Sequence, residues 1–472
     1  MYDVAIIGAG CIGALTAREL ARYRLKTVVL EAAQDVAAGA SRANSGIVHA
    51  GFDAPEGSLK AKFNVLGSEM MERVCEELGV EYKNNGSLVL AFDRAQAETL
   101  EELKARGEKN GVKRLKILTK KEVFALEPNV SRSVFAALYA PTGGIVCPFT
   151  LTIAAMGNAM DNGAELLTDF EVVRAEAGDA VRLFAADGRE VEARYVINCA
   201  GAGAEKIARL FGDVSFAVRA RKGEYILLDS STSGYVGSTI FTVPTKAGKG
   251  VLVTPTTDGN TLIGPTSVEE EDFDVSIRRE GFDDIIGKAK IMCENIPLWE
   301  TITSFAGVRA YSDRHDFVLE EGGPRLFNAA GIESPGLTSS PAIGRYIAEF
   351  TAAKFGAERK ADFNPVRKSY GWFKILSAEE KNKVIAANPA FGQIVCRCES
   401  VTLGEIEEAL TRAPRAKTLD GIKLRTRAGM GRCQSGFCQP AQLELLMKEY
   451  GLKAGQVTKN GKNSFIIVGG EL

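Results

Sequence analysis

The chain has 472 residues and a mass of 50.6 kDa, which is long enough for roughly two to four domains with separate cores. Hydrophobic residues make up 45% of the sequence and charged residues 25%, which indicates neither a disordered nor a fibrous class. Lysine and arginine total 58 against 60 for aspartate and glutamate, so the net charge of −2 gives no indication of nucleic acid as the main partner.

The first predicted element is a buried parallel strand, because DVAII is a short, β-branched apolar run that ends at glycine. Asp3 stands where a secretion signal would carry basic residues, so we do not expect a leader sequence. No stretch of the sequence is apolar over the length that a membrane span needs. We therefore expect a cytoplasmic protein that reaches a membrane only through a partner, with its cysteines reduced or bound to metal.

The turn after this strand has the G-x-G-x-x-G spacing of a dinucleotide-binding fingerprint, formed by Gly8, Gly10 and Gly13. Gly8 permits the tight turn, Gly10 lets a pyrophosphate approach the helix N-terminus, and Gly13 lets helix and strand pack closely. A helical pattern and a second buried strand, KTVVLE, follow, and Glu31 ends that strand, where it can bind a ribose diol. Since no basic residue lies beside Glu31, the site favours a free 2′-hydroxyl, which leaves NAD or FAD.

Three later stretches favour FAD. They are GASRANSGIVHAGF, RYVINCAGAGAEKIARLFG and RLFNAAGIESPGLTSSPAIGRYIAEF. In these stretches the chain resembles the FAD-dependent oxidoreductase family that includes D-amino-acid oxidase, glycerol-3-phosphate dehydrogenases and L-2-hydroxyglutarate oxidase. In that family the first stretch runs beneath the flavin, the second forms a later strand and turn, and the third forms a closing strand, a glycine-rich loop and a helix. The resemblance covers most of residues 1–356.

The resemblance implies an α/β protein with a discontinuous Rossmann-like FAD-binding domain, an inserted antiparallel-sheet substrate domain and a small helical C-terminal iron–sulfur domain. The expected FAD-binding domain comprises residues 1–80, 147–215 and 308–356, and the expected substrate domain comprises residues 81–146 and 216–307. A linker is expected over residues 357–392, the iron–sulfur domain over 393–450 and a C-terminal tail over 451–472.

The resemblance also implies which residues contact FAD beyond the fingerprint. They lie on the loop after the second strand and at later positions of the chain: Ser41, Arg42, Asn44, Ser45, Gly46, Val172, Ala200, Gly201, Gly331, Gly336, Leu337 and Thr338. The residues from Gly331 onward precede or begin a predicted helix, whose free N–H groups can stabilise negative charge on a flavin ring. We expect the FAD to be held noncovalently.

Two residues are candidates for the reaction itself. His49 lies on the loop assigned to the flavin, and we expect it to contact substrate or flavin, with a base near neutral pKa as its role. Arg309 matches the family's arginine in a G-x-R context, which binds the substrate anion with a planar two-donor clamp. Lys60 and Lys222 are weaker candidates for the anion site, and we expect both to be solvated.

The C-terminal region contains four of the nine cysteines in a C-x-C and C-x-x-x-x-C pattern, as Cys396, Cys398, Cys433 and Cys438. The C-x-C pair suits zinc poorly, whereas four thiolates suit a [2Fe–2S] cluster. Residues 390–450 resemble the bacterioferritin-associated-ferredoxin-like [2Fe–2S] domain, which follows the FAD module in the large subunit of anaerobic glycerol-3-phosphate dehydrogenase and in some amino-acid dehydrogenases. Zinc and free thiols are the alternatives.

Flavin accepts two electrons together and an iron–sulfur centre passes them singly, so the two groups indicate a dehydrogenase that feeds an electron-accepting protein subunit, either a second flavoprotein or an iron–sulfur protein. The leading hypothesis is an FAD-dependent dehydrogenase of a small anionic alcohol, with sn-glycerol 3-phosphate as the first candidate substrate. Many glycerol-3-phosphate dehydrogenases have an arginine where Asp53 lies here, and SLKAK resembles L-2-hydroxyglutarate oxidases. A 2-hydroxy acid is therefore the second candidate and an amino acid the third.

The rival hypothesis from another class is a non-enzymatic electron-transfer subunit, against which His49 and Arg309 argue. An FAD-linked NADH oxidoreductase would need a second G-x-G-x-x-G unit followed by an acid-tipped strand. NCAGAGAEKIA has closely spaced glycines, but no such strand follows it.

Overall fold

The computed structural model describes residues 1–244 and 250–467. Within these residues the strands are β1 (Tyr2–Ile7), β2 (Thr27–Leu30), β3 (Ile47–Val48), β4 (Tyr82–Lys83), β5 (Ser87–Ala91), β6 (Lys116–Thr119), β7 (Ala136–Ala140), β8 (Gly144–Val146), β9 (Glu165–Leu167), β10 (Val172–Ala177), β11 (Val181–Ala185), β12 (Glu190–Asn198), β13 (Val218–Leu228), β14 (Thr239–Thr242), β15 (Leu252–Pro255), β16 (Thr261–Gly264), β17 (Val268–Glu270), β18 (Thr301–Ser312), β19 (Val318–Gly323), β20 (Leu326–Ala330), β21 (Ile394–Cys396) and β22 (Val401–Thr402).

The helices of the described residues alternate with these strands in the first part of the chain and dominate its end. They are α1 (Cys11–Leu20), α2 (Leu59–Leu78), α3 (Arg94–Lys109), α4 (Lys120–Leu126), α5 (Pro148–Asp161), α6 (Ala204–Leu210), α7 (Arg279–Met292), α8 (Gly336–Phe355), α9 (Ala378–Ala387), α10 (Leu403–Thr411), α11 (Leu419–Thr426) and α12 (Gln439–Tyr450). None of the helices in the described residues has the length and apolar character needed to cross a bilayer.

The first large sheet carries the nucleotide fingerprint at the end of β1. Its strand order is β10-β11-β12-β1-β2-β9, and β20 also pairs with β12 while β19 pairs with β20. The central strands β12, β1, β2 and β9 are parallel, as is β20 against β12, whereas β10, β11 and β19 add antiparallel pairs. The residues of β1 from Val4 to Ile6 are fully buried, since the strand is covered on both faces. This burial explains why the strand is an uninterrupted apolar run in the sequence.

The second large sheet has the order β17-β13-β16-β15-β14-β5-β7-β6, with β18 paired to β13. Its described pairs are antiparallel as predicted, except that β14 runs parallel to β5. The long pair β13–β18 places Arg221 opposite Arg309 and Tyr225 opposite Phe305. The last segment of the expected FAD-binding domain begins at residue 308. Residues 308–312 nevertheless belong to β18 and pair with β13 of this second sheet.

The C-terminal domain combines α10, α11 and α12 with the short hairpin β21–β22. Its apolar core is continuous with that of the first domain, since Ile406 and Ile422 belong to the same buried cluster as Leu15 and Ile343. The segment expected to be a linker is folded, because it contains α9 and because the buried Tyr370 donates a hydrogen bond to the carbonyl of Arg412 at 3.0 Å.

Candidate functional site

A cavity of about 700 Å³ joins the nucleotide fingerprint to the second sheet. Gly10 and Glu31 border one end of this cavity, and His49, Tyr225 and Arg309 border the other. The residues expected to hold FAD and those expected to hold substrate therefore share one continuous space.

The three glycines of the fingerprint have different steric surroundings. Gly8 has a φ of +103°, and a Cβ there would lie 2.5 Å from the carbonyl oxygen of Cys199. A Cβ at Gly13 would lie 1.9 Å from the carbonyl oxygen of Gly8, so Gly13 serves the close packing of α1 on β1 and does not border the cavity. Gly10 is the N-cap of α1 and has no side chain of its own to cap the helix, so an anion can approach the helix N-terminus at this residue.

Glu31 is oriented by the backbone on both sides. Its carboxylate accepts hydrogen bonds from the N–H of Ala9 at 2.7 Å and from the N–H of Ala33 at 2.9 Å. Burial raises the pKa of Glu31, although these N–H groups act in the opposite direction. The remaining carboxylate lone pairs can accept hydrogen bonds from a ribose diol, so the residues present fit the adenosine end of FAD.

The loop after β2 is shaped by its own side chains. The Ser41 hydroxyl accepts a hydrogen bond at 2.8 Å from the N–H of Cys11, the first residue of α1. Asn44 donates to the carbonyl of Ala40 at 3.0 Å and accepts from the N–H of Gly46 at 2.9 Å. This loop therefore holds Ser41 at the helix N-terminus, where the fingerprint predicts a pyrophosphate.

Most of the expected FAD residues border the cavity, namely Gly8, Gly10, Glu31, Ser41, Asn44, Ser45, Val172, Ala200, Gly201, Gly336, Leu337 and Thr338. Arg42, Gly46 and Gly331 are not among the residues that line it in the described part of the chain. The Arg42 guanidinium lies 3.6 Å from the Asp420 carboxylate in the C-terminal domain. Gly46 and Gly331 have φ values of +68° and +62°, and each lies so close to a neighbouring segment that a Cβ would clash.

The loop that carries His49 is tied to the start of α8. The His49 N–H donates to the Thr338 hydroxyl at 2.9 Å, and that hydroxyl donates to the carbonyl of Ile47 at 3.2 Å. Asn64 donates to the His49 carbonyl at 2.6 Å, and Nε2 of His49 lies 3.4 Å from the Ser334 hydroxyl. Backbone and ring are thus both held at the cavity wall, as positioning a base requires.

Arg309 is anchored by backbone carbonyls. Its Nη2 donates to Thr266 at 2.8 Å and to Lys222 at 3.2 Å, and its Nε donates to Arg221 at 3.4 Å. Carbonyl groups fix the guanidinium without neutralising it. Within the residues that the structure describes, Arg309 has no carboxylate partner, so its charge can act on an anion in the cavity.

Two further cations border the cavity and share a carboxylate. The Lys60 ammonium lies 2.8 Å from one oxygen of Glu333, and the Arg221 guanidinium lies 3.2 Å from the other. The expectation that Lys60 and Lys222 are solvated was wrong. The side chain of Lys222 is only 1% exposed and lies 3.0 Å from the Glu270 carboxylate, because it occupies the opposite face of β13 from Arg221.

Sequence reasoning missed two aromatic residues that line this cavity, Tyr225 and Phe241, and two charged ones, Arg221 and Glu333. Tyr225 stacks on Phe305 with ring centroids 4.8 Å apart, and the ring of Phe241 lies 5.9 Å from that of His49. Burial raises the pKa of Tyr225, and the nearby Arg309 acts in the opposite direction. Strand alternation was the available signal, because Tyr225 lies on the same face of β13 as Arg221. Glu333 offered no such signal.

The four C-terminal cysteines lie together. The sulfur of Cys398 is 4.0 Å from that of Cys396 and 3.3 Å from that of Cys433, and Gln442 donates to the sulfur of Cys438 at 3.0 Å. The hydrogen bond from Cys398 lowers the pKa of the Cys433 thiol. Among the described residues, no group of three or more His, Cys, Asp or Glu side chains is placed to hold a single metal ion. The fit to a cluster rests on four converging thiols with a hydrogen-bond donor beside them.

Ion pairs fix the C-terminal domain against the other two. Arg425, which is 4% exposed, donates two hydrogen bonds to the Asp35 carboxylate, each of 2.7 Å. The Arg427 guanidinium lies 2.8 Å from Glu399, beside Cys398, and 2.8 Å from Asp258 in the turn between β15 and β16. The cysteines are therefore held in a defined position relative to the cavity.

Comparison with known proteins agrees with this arrangement. A family model described as FAD dependent oxidoreductase matches residues 3–350, and one described as BFD-like [2Fe-2S] binding domain matches residues 394–448. A glycerol 3-phosphate dehydrogenase of Caloramator mitchellensis is 43% identical over 99% of this chain and 98% of its own length. A glycerol 3-phosphate oxidase of Mycoplasma genitalium is 32% identical over 77% of this chain and 97% of its own.

Among solved structures, the L-alpha-glycerophosphate oxidase of Mycoplasma pneumoniae with FAD bound has a TM-score of 0.74 and 29% identity, over 78% of this chain and 98% of its own. These similarities extend over the module that contains the cavity, and the dehydrogenase of Caloramator mitchellensis also covers the C-terminal cysteines.

Proposed function

The chain belongs to the family of FAD dependent oxidoreductases, and from that premise we propose that it is a glycerol-3-phosphate dehydrogenase that passes electrons through a [2Fe–2S] cluster to a partner protein. The observation that carries this proposal is the one cavity bordered by the nucleotide fingerprint, by His49 and by the unneutralised Arg309.

The cations of the cavity support a phosphate-bearing substrate. Arg309 offers a full positive charge on a rigid guanidinium, whereas Lys60 and Arg221 share the Glu333 carboxylate and Arg221 also lies 3.1 Å from the Glu269 carboxylate. Phosphate carries up to two negative charges and three acceptor oxygens, and a planar guanidinium can bind two of these oxygens. We propose that Arg309 binds the phosphate directly.

The reaction converts a secondary alcohol to a ketone with the loss of one hydride and one proton. FAD, when bound, supplies the two-electron hydride acceptor. We propose that His49, as a neutral imidazole, takes the hydroxyl proton while the neighbouring C–H bond breaks. Thr338 and Asn64 hold the backbone of His49 in place for this step.

The same proposal assigns the FAD contacts. Glu31 binds the ribose, Gly10 and Ser41 lie at the pyrophosphate, and Gly336 and Thr338 place the N-terminus of α8 at the ring. The other cavity-lining residues of the predicted set contact FAD by van der Waals or backbone interactions. Gly13, Gly46 and Gly331 act by permitting close packing, and Arg42 by its ion pair with Asp420.

We further propose that Cys396, Cys398, Cys433 and Cys438 are the cluster ligands.

We propose that the FAD-binding domain is formed by the first sheet with α1, α5 and α8, and the substrate domain by the second sheet. Residues 357–392 belong with the C-terminal domain, on which Tyr370 packs.

Purification without oxygen followed by assays for iron, acid-labile sulfide and flavin tests the cofactors. Anaerobic addition of sn-glycerol 3-phosphate tests the reaction, because the visible flavin absorbance should bleach within the turnover time. L-2-hydroxyglutarate and amino acids are the comparison substrates. Bleaching by L-2-hydroxyglutarate but not by glycerol 3-phosphate would replace the proposed substrate with the second candidate, and no bleaching by any of them would favour a non-enzymatic electron-transfer subunit.

A further inference from the structure

The loop after β2, residues 31–46, has little regular structure of its own. Between Leu30 and Ile47 the chain forms one short 3₁₀ turn, Ala40–Arg42. The loop begins with Glu31 and supplies Ser41, and both residues border the cavity. Because neither a helix nor a strand holds the loop in place, its contacts with neighbouring elements determine where it lies.

The C-terminal part of the chain contacts this loop at three points. Each contact joins one side chain of residues 420–458 to one of the loop: Thr458 with Gln34 at 3.0 Å, Arg425 with Asp35 at 2.7 Å and Asp420 with Arg42 at 3.6 Å. A fourth contact holds the segment beside the loop. The Lys417 ammonium donates to the Thr168 hydroxyl at 2.9 Å, two residues before Phe170, which borders the cavity and donates its N–H to the Glu31 carbonyl at 2.8 Å.

Arg425 is the most rigidly held of these residues. Its side chain is 0% exposed, and it donates to the carbonyls of Pro414 and Gly421, both at 2.9 Å. Its partner Asp35 transmits the constraint to the loop backbone, because the Asp35 carboxylate also accepts a hydrogen bond from the N–H of Val36 at 2.8 Å. A guanidinium fixed within the C-terminal domain therefore fixes the middle of the loop.

The hydrogen bonds lead from Val36 back to the acid proposed to bind ribose. The next residue, Ala37, donates to the carbonyl of Ala9 at 3.1 Å. Ala9 lies inside the fingerprint, and its N–H donates to the Glu31 carboxylate at 2.7 Å. The C-terminal domain is thus connected, through Arg425 and the loop, to the groups at the adenosine end of the cavity.

We propose that Arg425 is a positioning residue for FAD and that the C-terminal domain and FAD stabilise each other in this chain. A loop that is already held in place loses less conformational entropy when it binds FAD, so the affinity is higher. A coupling free energy is reciprocal, so bound FAD also holds the C-terminal domain more firmly on the first domain. A chain whose C-terminal domain is not in place then binds FAD weakly. This inference rests on the proposed assignment of Glu31 to the ribose.

Ligand binding to the flavin-free full chain tests the coupling without any turnover. The probes are FAD, ADP, which has only the adenosine end, and riboflavin, which lacks it. Arg425→Lys keeps the charge but loses the planar pair of donors. We expect it to weaken FAD and ADP binding about five- to tenfold and to leave riboflavin binding unchanged. Fluorescence titration measures the two flavins and calorimetry measures ADP.

Arg367 provides the matched control. Like Arg425 it is 4% exposed and pairs with a carboxylate of the first domain, in this case that of Asp161 at the end of α5. Asp161 is not among the residues that line the cavity in the described part of the chain. Arg367→Lys should therefore loosen the C-terminal domain and leave the affinities for FAD and ADP unchanged. An equal loss of affinity in both variants would reduce the effect to general destabilisation and overturn the proposal.

Hydrogen exchange of the amides of α11 (Leu419–Thr426) measures the reciprocal effect. FAD and ADP should each slow this exchange about tenfold in the unaltered protein, riboflavin should not, and the protection should shrink in Arg425→Lys. Exchange in α11 that is the same with and without FAD would overturn the proposal. This measurement needs no variant, so it tests the proposal even if Arg425→Lys fails to fold.

Glu31→Gln separates an error in the coupling from an error in the ribose assignment. Weaker ADP binding in Glu31→Gln but not in Arg425→Lys would leave Glu31 at the ribose and overturn the role of Arg425. Unchanged ADP binding in both variants would overturn the ribose assignment as well. Because none of these measurements uses a substrate, an error in the proposed dehydrogenase activity would leave their results unaffected.

Discussion

Arg221 and Arg309 stand directly opposite one another on β13 and β18, and both border the cavity, but they are held in different ways. Arg221 lies 3.2 Å from the Glu333 carboxylate, whereas Arg309 donates to backbone carbonyls, the shortest bond being 2.8 Å to Thr266. Two guanidinium groups that share a sheet face therefore have different roles. The charge of Arg221 is offset within the protein, whereas Arg309 has no carboxylate partner among the residues that the structure describes.

We predict that Arg309→Lys raises the KM for glycerol 3-phosphate about 10- to 100-fold, because lysine keeps the charge but loses the planar pair of donors. The effect on kcat should be much smaller, since the phosphate is remote from the reacting carbon. Arg219→Lys, at an exposed position on the paired strand β13, is the control. Steady-state kinetics with an artificial acceptor measure both, and an unchanged KM would remove Arg309 from the substrate site.

Replacing the proposed base should affect the chemical step. We predict that His49→Asn lowers kcat about 10²- to 10⁴-fold while the protein keeps its flavin. The activity of the unaltered enzyme should fall on the acid side as the imidazole becomes protonated, and this limb of the pH profile should be absent in the variant. His315→Asn alters the other histidine, which is not among the residues lining the cavity, and should retain both activity and pH profile. A retained acid limb in His49→Asn would assign the titration to another group.

Glu31 should make the binding of FAD depend on pH. Burial raises the pKa of this carboxyl, so the unliganded folded protein loses stability as pH rises through that pKa and the buried charge appears. A ribose diol donates to the ionised form, so FAD should bind more tightly above this pKa and less tightly as pH falls through it.

Glu31→Gln should bind FAD about tenfold more weakly near neutral pH and should lose the pH dependence, because the amide does not titrate. Fluorescence titration of the flavin-free protein over a pH series measures both effects. Glu190→Gln, at an exposed position on β12, is the control. Equal pH slopes in Glu31→Gln and in the unaltered protein would contradict this assignment.

The buried pair between Arg425 and Asp35 should stabilise the position of the C-terminal domain. Asp35→Ala leaves a guanidinium with 0% side-chain exposure without its partner, which should cost about 3–5 kcal/mol in the free energy of unfolding. Thermal unfolding and limited proteolysis should show the loss, with cleavage near residues 357–392 appearing first. Asp179→Ala, at an exposed turn, should unfold like the unaltered protein. Unchanged unfolding of Asp35→Ala would mean that the pair adds nothing to the stability of the interface.

Features encoded in short, local spacings could be predicted from the sequence. Gly8, Gly10 and Glu31 meet at one end of the cavity, because a strand, a tight turn and a helix fix the positions of the fingerprint residues relative to one another. The paired cysteines likewise need only two turns to bring their sulfurs together.

Features that depend on strand register or on distant partners could not be predicted in this way. Lys222, a candidate for the anion site, does not face the cavity. Side chains alternate along β13, so its neighbour Arg221 faces the cavity and Lys222 faces away from it. The pairing of Lys60 with Glu333 joins residues 273 positions apart, and that of Arg42 with Asp420 crosses two domains. No local pattern reports such contacts, because they arise only when the sheets and helices assemble.

The shared apolar core of the first and C-terminal domains limits how this chain could be shortened. Ending it near residue 356 would uncover the surfaces that pack on Ile406 and Ile422 and would leave Asp35 facing water. A truncated form would therefore be prone to aggregation unless those surfaces were also made polar. Removal of the cysteine module from this chain thus requires compensating substitutions across the newly exposed face.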